Sequence, residues 1–230
     1  MMIKKLALTL CCASSLSIMS LPVAALEAGD WLLRGRIVKI EPNESSENIT
    51  ANGNTVEDTR VGVDGAYTLD IDITYMFTQN IGAELLLGIP SKHDMTAQGA
   101  ALRALAPNEV IQARVLPPTL LFQYHITSLG QFRPYIGIGL NYANFLDEEA
   151  TTSLNTGLGG VNDVKLKSSW GLAGQIGADY DLGNNWFINA DVKYLDIDTT
   201  ATFGSGALGN IAVDVDMDPW VFGLGIGKRF

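Results

Sequence analysis

From Gly29 onward the chain alternates apolar and polar positions with period two, over stretches of ten residues or more. Neighbouring side chains on a β-strand point to opposite faces, so this rhythm predicts strands with two unlike faces. In Ala66–Phe77, Tyr67, Leu69, Ile71, Ile73, Tyr75 and Phe77 oppose Thr68, Asp70, Asp72 and Thr74. Phe132–Phe145 sets Ile136, Ile138, Leu140 and Tyr142 against Arg133, Gly137 and Asn141. Ser168–Leu182 sets Trp170, Leu172, Ile176 and Tyr180 against Gln175, Asp179 and Asp181. Trp186–Thr200 sets Ile188, Val192 and Tyr194 against Asn189, Asp191 and Lys193. Gly29–Ile40, Asn80–Pro90, Thr119–Thr127 and the segment from about Asp216 to Phe230 read the same way, for a total of eight strands.

The polar faces carry charges and the apolar faces carry aromatic residues at their ends. A soluble barrel turns its apolar face inward, whereas a membrane barrel turns it to lipid, between aromatic girdles, around a polar lumen. A charge at mid-membrane on the lipid face costs roughly 2–4 kcal/mol. Arg34, Arg36, Asp70, Asp72, Glu84 and Lys193 all fall on the other face. Lys228 is the exception by parity, and near a membrane edge its long stem can carry the ammonium to water. The connections agree. Thr78-Gln79, Ser128–Gln131 and Gly183–Asn185 are short, while Glu41–Gly65, Ser91–Glu109, Asp147–Lys165 and Ala201–Asp214 are long and polar, matching short periplasmic turns and long outer loops. The predicted fold is an all-β, eight-stranded antiparallel transmembrane β-barrel of the outer membrane. Thr96–Ala106, rich in alanine, predicts a short helix within the second loop.

The first 25 residues read differently. Lys4 and Lys5 precede an apolar run from Leu6 to Leu21, and Val23-Ala24-Ala25 offers small residues for cleavage. This pattern predicts a secretory signal peptide over residues 1–25 and a barrel over 26–230. The run is short of the ~20 apolar residues a membrane helix needs. Both cysteines, Cys11 and Cys12, lie in the leader, so burial or closure of the sheet must replace disulfides. Without Lys4 and Lys5, 13 bases face 25 acids, a net charge of −12 that argues against a nucleic-acid partner.

Lumenal charges invite a search for chemistry. Arg34, Arg36, Asp70, Asp72 and Glu84 lie on adjacent strands and can pair across an interior just wide enough for side chains or one small ligand. Ion pairs filling the lumen are therefore expected, not a wide aqueous pore. His93 and His125 are the only histidines, which is too few for a zinc site without cysteine. No nucleophile-elbow motif is present. The expectation is no enzyme, no cofactor and no metal. Asp214, Asp216 and Asp218 face Asp196 and Asp198 across the last hairpin, as a solvated acidic rim. Phe230, ending an alternating strand, resembles the signal by which the assembly machinery reads outer-membrane barrels.

Several short segments together resemble the outer membrane protein W family. They are Ala28-Gly29-Asp30-Trp31, Leu116-Pro117-Pro118-Thr119-Leu120, Phe132-Arg133-Pro134-Tyr135, Ser169-Trp170-Gly171, Tyr194–Thr200 and Asp218-Pro219-Trp220-Val221-Phe222. The likeness runs from about Ala28 to Phe230. It implies an apolar pocket open outward, passing small hydrophobic molecules, which leave sideways into the membrane; the family includes alkane-import barrels. It also implies that Leu86 and Lys193 point into the barrel at the pocket floor, although some relatives carry an aromatic residue where this chain has Lys193. Pro117 and Pro118 give no N–H to a ladder, so they belong to an edge, a bulge, an unpaired stretch or merely the rim of a loop. The partners implied are outer-membrane lipid and small hydrophobic solutes. A structural or adhesive barrel, binding partners through its long loops, is the alternative. An apolar lining in the upper lumen favours passage, and a continuous ion-pair plug favours adhesion.

Overall fold

A computed structural model describes residues 25–230; the predicted signal peptide, apart from Ala25, lies outside them. Eight strands form one closed antiparallel sheet. They are β1 (Trp31–Glu41), β2 (Ala66–Met76), β3 (Ile81–Gly88), β4 (Thr119–His125), β5 (Phe132–Ala150), β6 (Ser169–Gly183), β7 (Trp186–Leu195) and β8 (Trp220–Arg229). Each pairs with its neighbours in sequence, and β1 meets β8 from Leu32↔Arg229 to Glu41↔Trp220. Phe230 extends that seam by exchanging backbone hydrogen bonds with Trp31, at 2.9 and 3.1 Å. Closure removes the edges a sheet would otherwise expose in lipid, where unpaired backbone groups find no water. Among the described residues no helix is long and apolar enough to cross a membrane.

The alternation resolves into two faces as the pattern predicts. Leu33, Ile37, Leu69, Ile71, Ile136, Ile138, Leu172, Ile176 and Leu224 are exposed and form the lipid-facing band. Aromatic pairs mark its margins: Trp31 against Tyr75 at one end, Tyr142 against Trp170 and Tyr194 against Trp220 at the other. Lys228 lies 5.3 Å from the Trp186 ring and 5.2 Å from that of Phe230, within the periplasmic girdle. The short turns suit their residues. Thr78 Oγ1 accepts from the N–H groups of Asn80 and Ile81, and Asn184 and Asn185 both take positive φ, a conformation asparagine tolerates in a tight hairpin.

The long connections differ from loops in the ordinary sense. Much of their length is sheet that continues the barrel outward. Ser91–Ala97 pairs with Glu109–Leu116, which pairs with the outer half of β5. Asp198–Ser205 and Gly209–Asp216 form a hairpin in a second sheet, between Val161–Leu166 and Thr50–Ala51. Two short helices, α1 (Ala100–Leu105) and α2 (Thr152–Gly157), bury Leu102 and Leu154; α1 lies inside the predicted Thr96–Ala106. These parts enclose an apolar core that includes Ile49, Val61, Met95, Val110, Phe203 and Val213. The outer segments are sheet because they, too, have one face to bury. Most of their inward residues are apolar, and full burial of each large apolar side chain contributes about 1.5–3 kcal/mol.

Candidate functional site

The lumen is stratified along its axis. Nearest the periplasmic end, Leu26, Leu32, Met76 and Phe187 pack into a small apolar cap. Above it lies a layer of ion pairs. The β1–β2 register sets Arg34 opposite Asp72 and Arg36 opposite Asp70. Arg34 reaches across the lumen to Asp179 at 2.9 Å and Glu84 at 3.3 Å, with its guanidinium 5.4 Å from the rings of Tyr135 and Phe187. Arg36 binds Asp70, Asp191 and Asp72, the last at 3.0 Å. Lys193 Nζ sits among Asp72, Glu84 and Asp191, the first two at 3.5 Å. Gln123 and Gln175 knit the acids together: Gln123 donates to Glu84 at 2.7 Å and Gln175 to Asp191 at 2.7 Å. Each of these side chains is buried. A charge so placed is tolerated only when paired and hydrogen-bonded.

Arg34, Arg36, Asp70, Asp72 and Glu84 come together in this layer. Asp179, Asp191, Gln123 and Gln175 complete the layer. The same parity marks them, but only the closed barrel brings them to Arg34, Arg36 and Glu84. Room for the layer comes from β8, whose inward positions include Gly223. A Cβ there would lie 2.5 Å from Asp191 Oδ1 and 3.0 Å from Arg36 Nη1. Gly223→Val is expected to destabilise the barrel by about 1–3 kcal/mol through overpacking, read as a lower midpoint of urea unfolding.

One inward step further out, the lining changes character. Arg36 gives way to Val38, Glu84 to Leu86, Gln123 to Leu121, Gln175 to Ala173 and Lys193 to Leu195, and all five replacements are buried apolar residues. Leu86 and Lys193 are both buried on the inward face. Lys193 is the top of the ion-pair layer, and Leu86 stands at the base of the apolar chamber above it. The chamber is continuous with the outer core and is closed nearly tight. A cavity of about 10 Å3 remains among residues including Ile49, Met95, Leu102, Phe203 and Val213.

The register of this wall slips at several places, between Leu146 and Glu149 and between Met95 and Thr96 among them, and the break between β3 and β4 contains Pro117 and Pro118. Pairing between β3 and β4 ends at Leu86↔Thr119, then resumes beyond the prolines at Ser91↔Val115. Four residues on one side, Leu87 to Pro90, therefore face three on the other, Leu116 to Pro118. On its far side β4 keeps register with β5 through Thr119↔Asn141 and Asn144↔Leu116, and Pro118 O accepts from Tyr142 N–H at 3.0 Å. On its own far side β3 stays tied to β2, where Ile89 N–H donates to Leu69 O. The interruption is thus confined to one seam. Outside it, an apolar groove of about 850 Å3 starts at Leu87 and Ile89 and crosses Leu69, Ile71 and Gly35 on the lipid-facing wall.

Of the remaining candidates, His125 borders the ion-pair layer through Gln123, 2.9 Å from its Nε2, and the rim aspartates stand apart. His125 stacks on Tyr135 at 4.9 Å, within the lower lumen. Asp196, Asp198 and Asp218 gather at the outer rim, where partial burial and then the neighbouring acids raise the Asp198 carboxyl above its usual range.

Residues 27–230 match the OmpW family. Outer membrane protein W of Vibrio cholerae serotype O1 is 39% identical over 213 residues, covering 92% of this chain and 93% of that one. Among solved structures, OprG of Pseudomonas aeruginosa superposes with a TM-score of 0.82 at 36% identity, over 90% of this chain and 98% of its own. Outer membrane protein AlkL, determined in lipid bilayers, gives a TM-score of 0.68 at 26% identity, over 90% and 92% of the two chains.

Proposed function

The chain belongs to the OmpW family of outer-membrane barrels, and from that premise we propose that it passes small apolar molecules sideways into the membrane. The solute enters between the outer segments, occupies the apolar chamber, and leaves through the β3–β4 interruption. The observation that carries this reading is the abrupt change of lining from Leu86 and Val38 to Glu84 and Arg36. An apolar molecule seated above that boundary cannot continue along the axis without separating buried ion pairs, at about 3–5 kcal/mol for each one broken. The lateral seam already lacks ladder hydrogen bonds, and the groove at Leu87 and Ile89 offers apolar surface immediately outside. Transfer into hydrocarbon is downhill by about 0.8 kcal/mol per methylene, so passage needs no other energy source.

In this reading Leu86 is the sill of the exit, Lys193 seals the lumen below it, and Pro117 and Pro118 keep the seam unpaired. The nearly closed chamber requires the outer segments to part. Phe230 is bonded into the seam between β1 and β8, and in this reading its aromatic ring is what the assembly machinery recognises. A partner-binding role is favoured by one observation: the outer segments form a six-stranded sheet of their own, whose last strand is Val161–Leu166. Uptake of n-decane by intact cells separates the two, with an unrelated eight-stranded barrel at matched abundance as control. Uptake several-fold above the control is expected. Uptake equal to it, with the barrel folded, overturns passage and leaves the partner-binding role.

A further inference from the structure

The inward face of Ser91–Ala97 is apolar at Met95 and Ala97, but it begins with two polar residues, Ser91 and His93. They are 5% and 4% exposed and lie beside core residues of the chamber, since Ser91 pairs with Val115 and His93 with Ala113. Ser91 is also the first registered residue above the β3–β4 interruption, as Leu86 is the last below it. The pair therefore stands where the chamber meets its side exit.

The hydrogen bonds fix the roles of the two side chains. His93 Nδ1 is 2.9 Å from the Asp64 carbonyl oxygen, which can only accept, so Nδ1 carries the proton. Burial lowers the His93 pKa below its ordinary value against the opposing pull of Asp64 and Asp94, keeping the ring neutral. Nε2 is then an acceptor, and the Ser91 hydroxyl, 2.9 Å away, donates to it. Both lone pairs of Ser91 Oγ remain unused by any described residue. An oxygen whose own proton is already donated is a stronger acceptor, and in apolar surroundings an unmet acceptor favours any donor that reaches it.

We propose that Ser91, held by His93, is an end-group site that receives the terminal O–H of a chain-like solute. This assignment rests on the chamber being the solute's path and narrows its cargo. The preferred molecules are apolar chains ending in a hydroxyl or an un-ionised carboxyl, with the chain against Val115 and the chamber wall. A bare hydrocarbon fits the same walls but leaves Ser91 Oγ unmet.

The test is a binding titration of the folded, full barrel in lipid nanodiscs, followed by NMR of 13C-labelled 1-decanol, n-decane and decyl methyl ether. Decanol is expected to bind about tenfold more tightly than the ether, which keeps the oxygen but has no donor. Ser91→Ala is expected to reduce the decanol-to-decane preference about tenfold, and Ser91→Thr to restore it. Equal affinity for decanol and ether in the unaltered protein overturns the end-group site without any variant having to fold. If decane and decanol bind with a preference that Ser91→Ala does not change, the site fails and the chamber stands. If neither ligand binds the unaltered barrel, the chamber reading fails and the end-group site fails with it.

Discussion

Arg36→Met is expected to unfold at a much lower urea concentration than the unaltered barrel, with a loss of about 3–5 kcal/mol. The guanidinium is 3% exposed as part of its residue and meets three carboxylates, those of Asp70, Asp72 and Asp191. Methionine fills similar volume but leaves those acids facing one another with only Lys193 nearby to offset Asp72 and Asp191. The penalty is the cost of buried charge without a partner, which is larger than the net worth of the pair itself. Reversible urea unfolding in lipid vesicles, followed by tryptophan fluorescence, measures it. A second substitution, Asp191→Leu, is expected to recover part of the loss by removing one stranded acid. A loss under about 1 kcal/mol would mean that water screens the layer as it does a surface pair, and the axis would then be open to polar solutes.

The double variant Pro117→Thr with Pro118→Thr is expected to move stability and transport in opposite directions. Threonine supplies the two missing N–H groups, and each new ladder bond adds about 0.5–1.5 kcal/mol. β4 already lies in register with β5 on one side, so one restored donor meets an acceptor held in place by Tyr142 and its neighbours. The other donor can draw β4 toward Leu87–Pro90 and close the seam. Decane uptake by cells should fall to the level of the control barrel while the urea midpoint stays level or rises. Retained uptake with a rising midpoint would place the exit elsewhere in the wall.

Much of this arrangement can be read from residue order, and the division has a physical basis. Period-two alternation is local, so the strands, their lipid face and the inward turn of Arg34, Arg36, Asp70, Asp72 and Glu84 follow from spacing alone. Which groups pair is not local. Arg34 lies opposite Asp72 in register but binds Asp179 and Glu84 across the lumen, a choice set by barrel curvature and side-chain length. The boundary between charged and apolar lining is written in Arg36-Ile37-Val38, Glu84-Leu85-Leu86 and Lys193-Tyr194-Leu195, but it becomes a boundary only when alternate strands run in opposite directions around the closed barrel. The outer connections read as polar loops because each strand exposes half its residues to water and their apolar positions are sparse. Their buried face emerges only when both sheets meet. Pro117 and Pro118 announce a ladder fault, and the register of Ser91 with Val115 fixes which seam carries it.

The apolar cap of Leu26, Leu32, Met76 and Phe187 and the ion-pair layer above it have a consequence for the cell as a whole. A barrel blocked along its axis is electrically and osmotically silent, so each added copy leaves the leak of ions, sugars and polar antibiotics unchanged. Under the proposed lateral route, abundance could then rise with the supply of an apolar solute without opening the envelope to hydrophilic toxins, a trade that a water-filled pore of the same protein mass could not make.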